Sequence, residues 1–107
     1  MVITSLQNIT ILGSTGTIGK QTLDVIARHP KAYKAYALAA NSNVTTLFEQ
    51  CVQYKPSYAV MLSEKAAHEL RQQLKAYGSK TQVLAGISGL EQISSDWQTG
   101  NNAVNTI

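Results

Sequence analysis

From residue 8 the chain reads Asn8-Ile9-Thr10-Ile11-Leu12-Gly13-Ser14-Thr15-Gly16-Thr17-Ile18-Gly19, a short β-rich run that leads straight into three glycines spaced three residues apart. That order leaves the backbone few options. A buried strand brings the chain to the edge of a sheet, glycines let it turn sharply, and the helix that follows aims unpaired N–H groups at an anion, the plan of a dinucleotide-binding turn. In this reading Gly13 serves the tight turn, Gly16 the close approach of backbone to a pyrophosphate, and Gly19 the contact of the opening helix with the strand. Ser14, Thr15 and Thr17 add small hydroxyl donors.

The spacing is G-x-x-G-x-x-G rather than the commoner G-x-G-x-x-G, so its context has to carry the argument. Downstream, Ile18, Thr22, Val25, Ile26 and His29 recur at helical spacing, and Pro30 ends the segment. No carboxylate occurs before Asp24, so nothing at the helix mouth repels an anion. A glycine-rich turn that serves packing alone is the competing reading. A P-loop fits worse, because Ser14 stands five residues before Gly19-Lys20 where glycine is required, and Gln21 stands where a hydroxyl should hold magnesium.

With 107 residues, 44% of them hydrophobic, the chain is expected to form one compact domain, or part of one. Charged residues are only 14%, and amides and hydroxyls carry the polar surface. The net charge of +3 comes from Lys and Arg scattered from Lys20 to Lys80 without a cluster or interleaved aromatics, which gives nucleic-acid binding little support. Cys51 is the single cysteine, so no internal disulfide can form, in keeping with a reducing compartment. It falls among Val44, Leu47, Phe48 and Val52 on one helical face and reads as a core thiol, not a nucleophile. The N-terminus carries no basic leader and its first apolar run is broken by Thr4, Ser5 and Gln7, so neither a signal peptide nor a membrane span is expected and a cytoplasmic location is.

Beyond the first helix, strands and helices alternate with short connections, the pattern of an α/β, Rossmann-like, doubly wound and mainly parallel sheet. Residues 33–40 read as a second strand, broken by Asn41-Ser42-Asn43, and Asn43 can cap a helix running to about Tyr54. A third strand follows over residues 58–62. Ser63 caps a third helix whose face is Ala67, Leu70, Leu74 and Tyr77, and Gly78 closes it. Residues 81–85 read as a fourth strand, and Ser88 with Glu91 forms a capping box for a brief helix bearing Leu90 and Ile93. Residues 103–107 look like the beginning of a fifth strand, inside which the chain stops.

In NAD-binding domains of this plan the second strand usually ends in an acid that accepts from the adenosine ribose. Here no acidic residue lies between Asp24 and Glu49, and the strand ends in Asn41, Ser42 and Asn43. Those groups can donate to a 2′-phosphate with a helix N-terminus behind them, which favours NADP over NAD. Ordinary loop and cap chemistry is the competing reading, for Asn43 in particular. No catalytic constellation is visible: Asp24, Glu49, Glu64, Glu69, Glu91 and Asp96 are dispersed, and His29, His68, Ser63, Ser88 and Trp97 read as structural.

The run from Gly13 to Gly19, followed by Thr22-Leu23-Asp24-Val25, resembles the opening of the 1-deoxy-D-xylulose 5-phosphate reductoisomerase family. The likeness continues through Tyr36-Ala37-Leu38-Ala39-Ala40, Asn43-Val44-Thr45, Glu49-Gln50-Cys51 and Lys55-Pro56-Ser57-Tyr58-Ala59-Val60, and weakens after Gly78, although Val83-Leu84-Ala85-Gly86 still fits. The resemblance implies an NADPH-dependent, magnesium- or manganese-using enzyme of non-mevalonate isoprenoid synthesis, a homodimer as the parent protein. This chain would be its N-terminal NADPH-binding portion. Nucleotide contacts would fall on Thr15, Gly16, Thr17 and Ile18 at the pyrophosphate and on Ser42 and Asn43 at the 2′-phosphate; Asn41 and Ser42 stand where many members have glycine and some have lysine. Metal ligands, lid and substrate-phosphate residues would lie beyond Ile107, leaving the isolated chain inactive. A semialdehyde-type reductase, which needs a catalytic cysteine, and a free-standing NADP-binding module without catalysis are the other readings.

Overall fold

The computed structural model describes residues 6–95 and 104–106. In chain order the elements are β1 (Gln7–Leu12), α1 (Thr17–Arg28), β2 (Tyr33–Ala40), α2 (Val44–Tyr54), β3 (Tyr58–Met61), α3 (Glu64–Tyr77), β4 (Gln82–Ala85), α4 (Gly86–Ser95) and β5 (Val104–Thr106). The strands form one parallel sheet in the order β4-β3-β2-β1-β5. From β1 the chain winds outward through β2, β3 and β4, then crosses back to place β5 on the other side of β1. The topological switch point, where open parallel sheets bind ligands, therefore lies at the carboxyl ends of β1 and β5.

Both faces of the sheet are covered. Ile9, Ile11, Leu38, Ala40, Ala59 and Met61 pack with Leu23 and Ile26 of α1, Leu47 and Cys51 of α2, and Ala67, Leu70 and Leu74 of α3. On the reverse face Ala37, Ala39 and Val60 pack with Ile93 and Leu90 of α4. The fold is therefore Rossmann-like and doubly wound, as the alternation of elements predicts. Strand β2 ends in Ala37, Leu38, Ala39 and Ala40, all buried, because a central strand covered on both sides has no polar face to present. Each fully buried leucine contributes about 1.5–3 kcal/mol by leaving water, so the larger layer supplies most of the core.

The helix boundaries follow their caps. The Asn43 side chain accepts from the Thr46 N–H at 3.1 Å and opens α2, and the Ser63 hydroxyl accepts from the Ala66 N–H at 3.2 Å and opens α3. Gly78, at φ +94°, closes α3 in the left-handed conformation expected of it.

Three expectations need correction. The buried face of α1 is Gly19, Leu23 and Ile26, whereas Ile18, Val25 and His29 are exposed. A glycine that packs on backbone sets the rotation of this helix, and an apolar count passes over a glycine. Tyr77 is exposed on α3, its ring edge-on to Phe48 at 5.9 Å, and Ala66 takes the buried place instead. Ser88 is not a cap: α4 already starts at Gly86, whose φ of +72° turns the chain directly out of β4, and Gly89 lies tight on Leu84 and Val60. One feature of β2 is absent from the sequence reading altogether. Ile9 pairs with Ala35 but Thr10 pairs with Ala37, so Tyr36 is an extra residue that bulges toward α4 and meets Tyr58 edge-on at 5.7 Å. Asp96 and Trp97 lie outside the described residues, as do residues 103 and 107 at either end of the expected fifth strand.

Candidate functional site

Strand β1 ends at Leu12 and the chain turns at Gly13, whose φ of +76° is a conformation that side-chain-bearing residues rarely adopt. The N–H groups of Gly13 and Ser14 both donate to the Ala39 carbonyl, at 2.8 and 2.9 Å, which extends the β1–β2 pairing into the turn. The Gly16 N–H returns to the Gly13 carbonyl at 3.2 Å. Helix α1 then starts with Gly16 as its N-cap, and Gly16 has no side chain with which to cap it. The Lys20 N–H donates to the Gly16 carbonyl at 2.9 Å, leaving the preceding N–H groups of the first turn without an intrahelical acceptor.

Gly16 and Gly19 at the helix mouth do different jobs. A Cβ at Gly19 would sit 2.3 Å from the Gly13 carbonyl oxygen and 2.6 Å from Ser14 Cα, so Gly19 is demanded by the fold itself. A Cβ at Gly16 would meet only the Gly13 oxygen, at an ordinary 3.5 Å, and the Gly16 backbone is extended. Among the described residues nothing else lies within 4 Å of that position. Its lack of a side chain keeps an exposed cradle open beside uncapped N–H donors, with no acidic residue in the first turn. Such a mouth suits an anion approaching along the helix axis.

Around this cradle the residues expected to contact a nucleotide divide. Thr15, Gly16, Thr17 and Ile18 are partly or fully exposed at the turn, Ile18 to the extent of 70%. Asn41, Ser42 and Asn43 are exposed at the end of β2, the strand next to β1, on the same carboxyl edge of the sheet. The Asn41 carbonyl accepts from Ser63 at 3.0 Å and the Ser42 carbonyl from Val44 at 2.9 Å, so the turn is held by backbone while both side chains face outward. Asn43 commits its Oδ1 to the α2 cap and retains its amide N–H donors.

Ser14 departs from expectation. Its side chain is buried, its hydroxyl donates to Gln50 Oε1 at 2.8 Å and its N–H is held by Ala39, so it shapes the turn and is no donor to a ligand. Its partner Gln50, 7% exposed on α2, was missed in the sequence, although it recurs with Leu47, Cys51 and Tyr54 at buried helical spacing. An amide is ordinarily read as surface, and only the interruption of an apolar stripe marks it.

Burial pushes the Cys51 thiol up to about 12, which keeps it neutral and unreactive. A cleft of about 620 Å³ opens at the opposite edge between the segments that lead into β3 and β4, lined by Lys55, Ser57, Tyr77, Lys80 and Thr81. Among the described residues no three His, Cys, Asp or Glu side chains gather around a common point where a metal ion would sit.

A sequence model of 1-deoxy-D-xylulose 5-phosphate reductoisomerase matches residues 9–106. The chain belongs to that family. It is 57% identical over 89 residues to the 1-deoxy-D-xylulose 5-phosphate reductoisomerase of Methylobacillus flagellatus, covering 83% of this chain and 22% of the relative. To the Nitrosomonas europaea enzyme of the same name it is 52% identical over 92 residues, covering 86% and 22%. Among solved structures it superimposes on a DOX-P reductoisomerase in complex with NADPH, fosmidomycin and magnesium, with a TM-score of 0.80, 36% identity and coverage of 84% of this chain and 22% of that one. The Zymomonas mobilis 1-deoxy-D-xylulose 5-phosphate reductoisomerase in complex with NADPH matches with a TM-score of 0.74, 34% identity and coverage of 80% and 22%. The chain thus spans about a fifth of the length of the reductoisomerases it matches, and the whole carboxyl edge from Gly13 to Asn43 falls within the matched segment.

Proposed function

We propose that this chain is the NADPH-binding portion of a 1-deoxy-D-xylulose 5-phosphate reductoisomerase. The observation that carries this reading is the mouth of α1: a turn fixed by Gly13, an uncapped N-terminus, and Gly16 left open on its outer side, all at the switch point of a parallel sheet. The pyrophosphate would lie across Thr15, Gly16, Thr17 and Ile18, taking the free N–H groups of the first turn. The adenosine 2′-phosphate would lie toward Asn41, Ser42 and Asn43, which offer hydroxyl and amide donors in a stretch with no acidic residue between Asp24 and Glu49. When bound, NADPH supplies the hydride; this chain's residues hold and orient it.

The complete protein would isomerise 1-deoxy-D-xylulose 5-phosphate and reduce the product to 2-C-methyl-D-erythritol 4-phosphate, a step of non-mevalonate isoprenoid synthesis, as a cytoplasmic homodimer using magnesium or manganese. Metal and sugar-phosphate groups would come from other parts of that protein, so the 107-residue chain should bind cofactor without turning over substrate. Titration followed by nicotinamide fluorescence tests the reading: saturable binding is expected with NADPH tighter than NADH, and no binding of either would overturn it. NADPH oxidation on adding 1-deoxy-D-xylulose 5-phosphate and magnesium to the purified chain would refute the division of labour.

A further inference from the structure

The Ser14 peptide is held from three directions. Its N–H donates to Ala39 at 2.9 Å, Gly19 of α1 lies against its Cα and carbonyl carbon, and Gln50 of α2 closes the remaining side. The Gln50 contact is reciprocal: Oε1 accepts from the Ser14 hydroxyl at 2.8 Å while Nε2 donates to the Ser14 carbonyl at 2.9 Å. Only a side chain that both donates and accepts satisfies this pair. An ionised carboxylate offers no donor to the carbonyl, and a hydrocarbon offers neither partner. A flipped amide would set oxygen against carbonyl oxygen, so the orientation is unique. Ser14 is fully buried and Gln50 nearly so, so a lost bond leaves a poorly hydrated polar group behind.

The latch also joins two regions that no covalent turn connects. Helix α2 is capped by Asn43, on the adenosine side of the edge, and Gln50 follows seven positions later, about 10 Å along the axis. One helix therefore carries a residue at each end of the proposed cofactor path. We infer that Gln50 is a positioning residue, which acts through Ser14 to hold the Gly13–Gly19 turn in the shape that presents its N–H groups to the cofactor pyrophosphate. This rests on the reading of the carboxyl edge as an NADPH site. Loss of the latch should weaken contacts to the pyrophosphate while sparing those to the 2′-phosphate, whose residues are held by α2's own cap and by backbone bonds to Ser63 and Val44.

The experiment compares the unmodified chain with Gln50→Met, Ser14→Ala and the double variant, each titrated with NADPH and with adenosine 2′-monophosphate, a probe that has the 2′-phosphate and no pyrophosphate. Circular dichroism verifies that each variant is folded at the titration temperature. Gln50→Met should weaken NADPH about tenfold, equivalent to ~1.4 kcal/mol, and leave the monophosphate within about twofold. Ser14→Ala, which keeps the bond from Gln50 to the Ser14 carbonyl, should weaken NADPH less, and adding it to Gln50→Met should cause no further loss because the hydroxyl is then already orphaned. Unchanged NADPH affinity in Gln50→Met, or an equal loss for both probes, would overturn the positioning role. Should Gln50→Met not fold, equal loss for both probes in Ser14→Ala would overturn it alone. Failure of the unmodified chain to bind NADPH would instead overturn the function reading, and the positioning role with it.

Discussion

Replacing Gly19 by alanine should destabilise this protein, although the same substitution in the interior of an ordinary helix stabilises it by about 1 kcal/mol. The sign is decided by what the new methyl group meets: the Gly13 oxygen at 2.3 Å, Ser14 Cα at 2.6 Å and the Ser14 carbonyl carbon at 2.8 Å. All three are backbone atoms, and they cannot retreat, because Gly13 and Ser14 both donate to Ala39 and Gln50 closes on Ser14 from the far side. Overpacking a rigid site costs about 1–3 kcal/mol, and three backbone contacts place this case at the top of that range. Subtracting the helix gain leaves a net loss of about 2 kcal/mol, or a fall of roughly 10 °C in Tm for a domain of this size. Urea unfolding followed by far-UV circular dichroism measures it, with Gly16→Ala as the control, since its methyl would meet only the Gly13 oxygen at 3.5 Å. Gly19→Ala as stable as the parent, or more stable, would refute the argument that α1 is pressed against the turn.

Gly16→Val should keep the fold and abolish NADPH binding, because its branched side chain would fill the cradle; calorimetry beside circular dichroism separates the two effects, and unchanged affinity would move the pyrophosphate elsewhere. Ser42→Asp should weaken NADPH by on the order of 1–3 kcal/mol through repulsion of the 2′-phosphate, less so at higher salt, while NADH binding holds or improves. Equal effects on both cofactors would show that the turn does not read the ribose. Burial raises the Cys51 thiol from 9.0 to about 12, so its stabilising effect is complete below pH 9 and is lost as pH rises toward the folded value, because the unfolded thiol ionises first. Unfolding free energy should fall by up to about 1.4 kcal/mol per pH unit above pH 9. Tyr54, raised by partial burial and by Asp24, adds a slope of the same sign, so comparison with Cys51→Ala isolates the thiol, and identical slopes would contradict its burial.

The order of the elements is legible in the sequence because its punctuation is chemical: Asn43 and Ser63 cap helices, Gly78 ends one, and each acts within a single turn. The glycine turn is legible for the same reason, since the φ of Gly13 and the closeness of Gly19 are local demands on residue type. What escapes a linear reading depends on tertiary partners. The rotation of α1 is set by a glycine against backbone, the Tyr36 bulge by the register of β1 against β2, and the early start of α4 by the turn at Gly86 and the fit of Gly89 on Leu84. Ser14 looks like a donor to a ligand until Gln50, 36 residues away, is seen to occupy it.

The most direct test of the central claim is a map of NADPH contacts on the chain by backbone amide chemical shifts. A cleft of about 620 Å³ lies at the opposite edge of the sheet from the glycine turn and is the rival location. Saturating NADPH should move the amides of Thr15, Gly16, Thr17 and Ile18, with Ser42 and Asn43 responding to NADPH more than to NADH. Shifts centred instead on Lys55, Ser57, Lys80 and Thr81, with the glycine turn unmoved, would contradict the account.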